Sequence, residues 1–333
     1  MNLGLGGQYA GPVELHGHGR FVLSSRDFEP AYLKAHAAGQ LSLKAQQARK
    51  LLESCRLCPR QCGVNRLEGN LGVCKVGRLA EVASAFPHFG EEDCLRGWRG
   101  SGTIFFSGCN LRCVFCQNFD ISQQGDGQPV SAQQLATLML ELQQAGCHNI
   151  NFVTPSHVVP QLLEALELAV QQGLRLPLVY NSSGYDSLET LHLLDGVVDI
   201  YMPDFKLWDP EHCRLYLTAA DYAEAARAAL KCMHQQVGVL KVDEHGVALR
   251  GVLVRHLVMP GLLQDTGQIL RWLARELSPD TFVNVMDQYR PAWKARSDPR
   301  LAAINRPLRL AEYEQAVELA QQAELWRLDQ RWR

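Results

Sequence analysis

This 333-residue chain has no excess charge of one sign and no long uninterrupted apolar run. Thirty-three Lys and Arg residues against 35 Asp and Glu residues leave a formal charge of -2. Such a balance provides no strong attraction to nucleic acid or to an anionic membrane. No apolar stretch is long enough to span a bilayer as a helix. The sequence therefore predicts neither a membrane protein nor a nucleic-acid-binding protein.

The amino terminus also lacks the pattern of a secretory signal. Residues 1–20 show no charged stretch followed by an apolar one, which such a signal requires. We therefore expect a cytoplasmic protein. Eleven cysteines are many for a reducing compartment, because structural disulfides seldom persist there.

The cysteines fall into two groups and four scattered positions. The first group has the spacing C-x2-C-x3-C followed by a more distant cysteine, and the second has the spacing C-x3-C-x2-C. Grouped cysteines indicate metal, whereas scattered ones usually act as small buried hydrophobic residues. We expect metal at Cys55, Cys58, Cys62 and Cys74 and at Cys109, Cys113 and Cys116, and burial for Cys94, Cys147, Cys213 and Cys232.

Short apolar runs alternate with amphipathic helices from about residue 102 onward. One helix is predicted over 131–145, because Ser131 and Gln134 form a capping box and apolar residues recur on one face. Six strand–helix units predict a parallel sheet with right-handed crossovers. The strands are expected at 102–107, 149–153, 178–181, 198–202, 253–258 and 281–285.

Six units are too few for the eight-stranded closure of a complete TIM barrel. We therefore predict an α/β fold with a partial (βα)6 TIM-like barrel, open on one side. A doubly wound open sheet is the alternative. A change of composition near residue 100 separates an N-terminal arm with a Cys-rich module at 1–100 from the barrel at 101–333. The Cys-rich part has little periodicity and needs a metal or a neighbouring domain to hold it.

The segment Ser107-Gly-Cys-Asn-Leu-Arg-Cys-Val-Phe-Cys-Gln-Asn118, here called the three-cysteine loop, directly follows the first predicted barrel strand. Three thiolates at this spacing can bind three corners of one [4Fe–4S] cube. The fourth iron is then left for a chelating substrate such as S-adenosylmethionine (SAM). Barrel active sites lie at the C-terminal ends of strands, so the position suits this chemistry. A structural zinc needs a fourth ligand, and three unliganded thiols would invite oxidation.

The three-cysteine loop, with the aromatic Phe115 before its last cysteine, resembles the cluster motif of the radical SAM superfamily. More narrowly, SGCNLRCVFCQN resembles the pyruvate formate-lyase activating enzyme-like group, over roughly residues 50–295. The resemblance implies a radical SAM oxidoreductase whose [4Fe–4S] cluster, at Cys109, Cys113 and Cys116, cleaves SAM to a 5′-deoxyadenosyl radical. It also implies that Phe115 lies near the adenine of SAM.

The fourth predicted strand ends in Tyr201-Met-Pro-Asp-Phe-Lys206, with an acid and a base two residues apart on one face. The pair resembles the Asp-x-Lys motif of the glycyl-radical activating enzymes. That resemblance implies that Lys206 binds the SAM carboxylate. It also implies that Asp204 forms a monovalent-cation site with Asn181 and Ser182. A surface salt bridge is the plain alternative.

The end of the second predicted strand departs from the family pattern. The activating enzymes have a Gly-Gly-Glu segment there for the SAM amino group, and this chain has Val153-Thr-Pro-Ser-His157 instead. Thr154 and Ser156 offer hydroxyl groups and His157 an imidazole, while an N-cap role for Ser156 is the alternative. Near the end of the fifth strand, Arg255 is implied to approach SAM.

The four-cysteine module comprises Cys55-Arg-Leu-Cys-Pro-Arg-Gln-Cys62 and Leu71-Gly-Val-Cys74. Four cysteines with one close pair suit either a structural zinc or a closed second [4Fe–4S] cluster, and the spacing favours neither. Unliganded thiols are the third alternative. Cys-Pro-Arg-x-Cys ahead of the three-cysteine loop resembles an uncharacterised branch of the activating-enzyme-like proteins.

Together the motifs predict an enzyme that abstracts hydrogen with a SAM-derived radical. By resemblance the target is a glycine of a partner protein, and the electron donor is of flavodoxin or ferredoxin type. Another peptide, an RNA or a small molecule is the alternative target. A non-catalytic iron–sulfur or zinc protein is the third hypothesis. No residue is singled out as a catalytic acid, base or nucleophile.

Overall fold

The computed structural model describes residues 13–329, and residues 1–12, where the signal prediction begins, lie outside them. The strands are β1 Ala80–His88, β2 Ser101–Phe106, β3 Gln128–Val130, β4 Ile150–Val153, β5 Leu178–Ser182, β6 Ile200–Pro203, β7 Lys241–Val242, β8 Ala248–Leu257 and β9 Phe282–Met286. The helices are α1 Ala31–Ala37, α2 Gln40–Lys50, α3 Asp93–Arg96, α4 Ala132–Gln144, α5 Val159–Gln171, α6 Leu188–Leu194, α7 Pro210–His212, α8 Tyr222–Val237, α9 Leu263–Trp272 and α10 Leu310–Gln322.

Six of these strands run parallel as consecutive neighbours. The order is β2-β4-β5-β6-β8-β9, and every adjacent pair in it is parallel. The strands match the six that the sequence predicts. Their order follows the chain without the reversal that defines a doubly wound sheet, so that alternative is wrong. The protein is therefore a mixed α/β protein built on a sheet rich in parallel strands.

The sheet continues on the N-terminal side of residue 100. β1 pairs antiparallel with β2, from Val82 opposite Phe106 to His88 opposite Ser101, and β3 pairs with the other edge of β1. β1 is not among the strands that the sequence predicts. β1 belongs to the same sheet as the parallel strands, so the sheet itself crosses residue 100. The domain boundary at residue 100 stays a prediction.

Helices cover one face of the parallel strands, and the loop between β1 and β2 covers part of the other. On the helix side, Ile104 and Phe152 join the main apolar core. On the other side, Cys94 and Leu95 of α3 are buried in a second apolar cluster with Val179, Ile200, Met202, Leu253 and Phe282. Val179, Ile200 and Phe282 lie near the N-terminal ends of their strands, so this packing leaves the C-terminal ends of the strands for a site.

Several local expectations hold. Ser131 caps α4, and Gln134 completes the capping box. The four scattered cysteines are all buried, with exposures of 0 to 7%. Within residues 13–329, every helix is too short or too polar to cross a bilayer.

Candidate active site

A cavity of about 450 Å³ lies at the C-terminal ends of the parallel strands. Its size suits a small molecule or cofactor. Nine of the residues that the sequence proposed for the first cluster and for SAM line it: Cys109, Cys113, Phe115, Cys116, Asn181, Ser182, Asp204, Lys206 and Arg255. A larger groove of about 750 Å³ runs along residues 22–40 beside Arg250. None of the nine residues lines that groove. The cavity of about 450 Å³, here called the site cavity, is therefore the candidate active site.

The three-cysteine loop forms one wall of the cavity and is held by its backbone. The Val114 N–H donates to the Tyr216 carbonyl (2.9 Å), and the Val114 carbonyl accepts from the Ala295 N–H (3.0 Å). Cys109 and Cys113 are buried and Cys116 is half-buried. Burial raises the pKa of the Cys109 thiol to about 12. The Cys109 thiol is therefore neutral near pH 7 until a metal cation displaces its proton.

Lys206 and Asp204 extend the wall from the end of β6. The Lys206 ammonium donates to Asp204 Oδ2 at 2.5 Å, and the two side chains are 17% and 20% exposed. Burial alone would lower the pKa of Lys206, but the charges of Asp204 and Cys113 raise it above its usual value. Lys206 therefore carries a fixed positive charge on the cavity.

The Tyr222 side chain joins the ends of β5 and β6. Its hydroxyl lies within hydrogen-bond distance of the Ser183 carbonyl (2.9 Å) and the Asp204 carbonyl (3.0 Å), and it accepts from the Lys206 N–H (2.9 Å). Gly184 packs so tightly here that a Cβ would lie 2.3 Å from the Asp204 carbonyl oxygen. This contact fixes the backbone from which Lys206 extends.

Asn181 and Ser182 lie at the end of β5, beside Asp204. The Ser182 hydroxyl donates to Asp186 Oδ2 (2.6 Å) and accepts from the Gly184 N–H (3.1 Å). The Ser182 carbonyl accepts from the Asp204 N–H at 2.9 Å. Ser182 thus stabilises the turn after β5, and its hydroxyl is already engaged there.

Arg255 lines the cavity while forming ion pairs with two acids that sequence reasoning missed. It pairs with Glu91 and with Glu92, the latter at 2.6 Å. Asn151 donates to Glu91 (3.2 Å), and Asn284 donates to Glu92 (2.6 Å). The adjacent acidic residues before a short helix were the available signal, but no local pattern places them against a strand 163 residues further on.

Burial would raise the pKa of Glu91, yet Arg255 and His88 lower it to about 2. Glu91 and His88 also line the cavity. The cavity therefore has a fixed carboxylate on its floor beside the Arg255 guanidinium. A buried charge of this kind is stable because it is paired and hydrogen-bonded.

The end of β4 differs from the sequence expectation. Thr154 lines the cavity with its backbone at φ +61°, a conformation that is costly for a β-branched residue. The N-cap alternative for Ser156 is wrong, because α5 begins after Val158 and has no side-chain cap. His157 lines a separate cavity, together with the four cysteines of the four-cysteine module.

The side chains that line the site cavity fit the predicted [4Fe–4S] cluster and SAM. Among residues 13–329, no three Cys, His, Asp or Glu side chains are arranged as ligands of one metal ion. An iron–sulfur cube, in contrast, binds each thiolate to a different iron and needs a wider spacing. Three cysteines on one wall and a lysine beside them suit a three-ligand cluster whose open iron binds a zwitterion.

A parallel α/β sheet with three cysteines after its first parallel strand defines a class of cofactor-dependent enzymes in which iron–sulfur chemistry occurs at the strand ends. Residues 103–273 match the model of the Radical SAM superfamily, which is more than half of the chain. A protein of Methanocaldococcus jannaschii, described as uncharacterised, is 36% identical over 293 residues, covering 86% of this chain and 79% of the relative. The chain belongs to the radical SAM superfamily. Membership implies an enzyme that uses a [4Fe–4S] cluster and SAM in radical reactions.

Proposed function

We propose that this chain cleaves SAM reductively at a [4Fe–4S] cluster held by Cys109, Cys113 and Cys116. The bound cofactors would supply a 5′-deoxyadenosyl radical that abstracts hydrogen from a substrate. The observation that carries the proposal is the convergence of the three cluster cysteines and six proposed SAM residues on one cavity of about 450 Å³. They come from the ends of three strands, β5, β6 and β8, and from the loop after β2.

Each of the other cavity residues has a proposed role toward SAM. Lys206, with its fixed positive charge, would bind the carboxylate. Phe115, buried and tilted against Tyr289 with ring centroids 6.1 Å apart, would pack near the adenine. Asp204, Asn181 and Ser182 would form the cation site, although the Ser182 hydroxyl is already engaged by Asp186. Arg255 would approach SAM while paired with Glu91.

The proposed architecture is a partial (βα)6 TIM-like barrel at 101–333, preceded at 1–100 by an arm and a Cys-rich metal-binding extension. Six consecutive parallel strands support it. The proposed subgroup is the pyruvate formate-lyase activating enzyme-like group, in a branch that carries the four-cysteine module. The motifs SGCNLRCVFCQN and Asp204-Phe-Lys206 support this assignment.

The proposed target is a glycine in a loop of a partner protein, and the proposed reductant is a flavodoxin or ferredoxin, both in the cytoplasm. Radical modification of another peptide, an RNA or a small molecule is the alternative. A non-catalytic iron–sulfur or zinc protein is less favoured, because such a protein has no need for Lys206 and Asp204 on the cavity.

Anaerobic reconstitution with iron and sulfide, followed by dithionite and SAM, tests the reaction. We expect 5′-deoxyadenosine and methionine from the wild-type protein, and no 5′-deoxyadenosine from Cys113→Ala. Cys232→Ala, which removes a buried cysteine outside the site, is the matched control and should retain the activity. Equal product from Cys113→Ala and wild type would refute the proposal.

The target is tested separately. A glycyl-radical loop encoded by a neighbouring gene provides the candidate partner, and its incubation with the reduced enzyme and SAM should produce a glycyl radical visible by electron paramagnetic resonance. A genome without such a protein would exclude glycyl-radical activation and leave the alternative targets.

A further inference from the structure

The cysteines of the four-cysteine module surround a second, nearly closed cavity. The Cys55 N–H donates to the Val64 carbonyl at 3.0 Å, which folds the first three cysteines into one turn. A Cβ at Gly72 would lie 2.8 Å from Cys62 Sγ, so the segment that carries Cys74 packs directly on this turn. The cavity is lined by Cys55, Cys58, Cys62 and Cys74 together with Arg66, Asn110 and His157, among others.

Arg66, a buried cation beside this cavity, has no carboxylate partner within the described residues 13–329. Arg66 is 1% exposed. Its guanidinium donates to the carbonyls of Gly77 (2.8 and 3.1 Å) and His157 (2.7 Å). None of the ion pairs formed among residues 13–329 includes Arg66. Buried charges are normally balanced by an opposite charge, and a centre bound by four thiolates carries the negative charge that Arg66 requires.

The size of the cavity separates a cluster from a zinc ion. A zinc ion holds each sulfur at about 2.3 Å, so that four sulfurs lie about 3.8 Å apart with no space between them. The cavity here has room for one water-sized sphere, and the centre of that sphere can occupy a volume of about 10 Å³. Within residues 13–329 no arrangement for a single ion is present. The open centre between the four cysteines fits a cube, which places iron and sulfide between the thiolates.

The second cavity shares a wall with the site. Asn110 lines the second cavity, and its neighbour Cys109 lines the site cavity of about 450 Å³. A Cβ at Gly108 would lie 2.4 Å from the Cys74 carbonyl oxygen, so the two cysteine segments touch through their backbones. Arg60 of the module donates to the Asn110 carbonyl at 2.9 Å. One layer of peptide therefore separates the two groups of thiols.

We propose that Cys55, Cys58, Cys62 and Cys74 hold a second [4Fe–4S] cluster that passes electrons to the SAM-binding cluster across the Gly108–Cys74 contact. The electron-transfer role rests on the proposed function above, whereas the metal assignment does not. With four cysteine ligands the second cluster has no open iron, so it carries electrons and binds no substrate.

The electron balance is one electron for each SAM. A low-potential donor of the ferredoxin or flavodoxin class reduces the second cluster by one electron. That electron moves to the first cluster and then to the sulfonium of SAM, whose bond from sulfur to the 5′ carbon breaks. The products are methionine and a 5′-deoxyadenosyl radical, which takes one hydrogen atom from the substrate.

Metal analysis tests the assignment without any need for activity. The triple variant Cys109→Ala, Cys113→Ala, Cys116→Ala, reconstituted anaerobically, should retain about four irons and four sulfides per chain. After reduction it should show the electron paramagnetic resonance signal of a [4Fe–4S] cluster. Adding Cys58→Ala and Cys74→Ala should abolish both. Zinc without sulfide, or no bound metal in the folded triple variant, would overturn the proposal.

The reduction potential provides a second test in the same triple variant. Arg66→Met removes a buried positive charge beside the cluster and should shift its potential to more negative values, because the reduced form gains negative charge. Arg66→Lys retains the charge and should shift it less. Equal potentials in all three proteins would contradict the position of the cluster beside Arg66.

The electron-transfer role is tested by comparing two reductants. In Cys58→Ala/Cys74→Ala, the ratio of SAM cleavage driven by reduced flavodoxin to cleavage driven by dithionite should fall about tenfold or more. Arg56→Gln, an exposed change in the same module, should leave that ratio near the wild-type value. An unchanged ratio in the double variant would refute the transfer. Absence of SAM cleavage in fully loaded wild type would instead refute the proposed function and leave the iron count standing.

Discussion

At the scale of single residues, the charges in the cavity are fixed by their neighbours. Glu91 and Glu92 share one guanidinium, Arg255, whose side chain is 16% exposed. Asn151 and Asn284 occupy further lone pairs of the two acids. Buried ion pairs of this kind add little stability over an apolar core, but removing one partner is costly. The network therefore fixes the shape and charge of the cavity floor.

Glu91→Gln tests this network through its dependence on pH. The pKa of Glu91 is lowered to about 2 in the folded protein, so its stabilisation is present above the ordinary glutamate pKa and is lost as the pH falls toward 2. The variant should lose about 2 to 4 kcal/mol of unfolding free energy at pH 7, and the difference should shrink by about 1 kcal/mol at pH 4. Urea unfolding at both values measures it.

Glu141→Gln, an exposed change on α4, is the control and should match wild type at both pH values. A deficit for Glu91→Gln that grows as the pH falls would have the opposite sign and would contradict the ion pair.

Lys206→Met tests the proposed contact with the SAM carboxylate. Loss of a charge-assisted hydrogen bond in a mostly buried site should raise the Kd for SAM about 10- to 100-fold. Equilibrium binding to the reconstituted protein measures this, with the iron content checked to equal wild type. Lys231→Met breaks an exposed pair with Glu276, with side chains 45% and 47% exposed, and should leave the Kd unchanged. A change of less than about twofold in Lys206→Met would contradict the contact.

The residues that sequence reasoning found share one property, which is that their signal is local. Cys109, Cys113 and Cys116 are defined by spacing, and Asp204 and Lys206 by their place after a strand. Glu91 lacks such a local signal, because its ion pair is with Arg255, which is remote in the chain. His157 was expected at the site cavity but lines the cavity of the four-cysteine module. Which of two neighbouring cavities a residue near a strand end faces depends on the whole fold.

At the scale of elements, the six parallel strands were predictable because each is a short apolar run followed by a helix. The capping box of Ser131 and Gln134 likewise marks α4 by local chemistry. β1 escaped because it contains Pro87 and is only partly buried along its length. Its pairing with β2 is antiparallel and irregular between Val82 and Ser84, which leaves no clear alternation in the sequence.

Tyr222→Phe tests how α8 positions the ends of β5 and β6. Removal of the hydroxyl leaves the buried Lys206 N–H without its acceptor, which should cost about 1 to 3 kcal/mol of unfolding free energy. It should also weaken SAM binding several-fold, because the backbone that carries Lys206 is released. Denaturant unfolding and equilibrium binding measure the two effects.

Tyr32→Phe is the matched control. Its hydroxyl donates to the Leu176 carbonyl at 2.8 Å, between α1 and the segment before β5. It should lose comparable stability while keeping the affinity for SAM. Equal loss of affinity in both variants would mean that the effect of Tyr222 is general destabilisation.

At the scale of the whole molecule, the four-cysteine module depends on its surroundings. Within the described part of the chain, its own apolar cluster comprises Leu51, Leu52, Cys55 and Leu57, with three partly buried neighbours. It also contacts the part of the chain that carries the parallel strands, for example through Arg60 at Asn110 and Arg66 at His157. A segment with so small a core is held by metal binding and by docking.

Metal removal should therefore open this module first. Trypsin should cut the metal-free protein after the exposed Arg56 and Lys75 before it cuts the helices of the sheet domain, because local unfolding begins where few apolar contacts resist it. Anaerobic loading with iron and sulfide should slow these cuts about tenfold or more. The triple variant at Cys109, Cys113 and Cys116 should be protected as well as wild type, because the protecting ligands are Cys55, Cys58, Cys62 and Cys74. Mass spectrometry of timed digests identifies the cut sites, and equal cleavage with and without metal would show that docking alone holds the module.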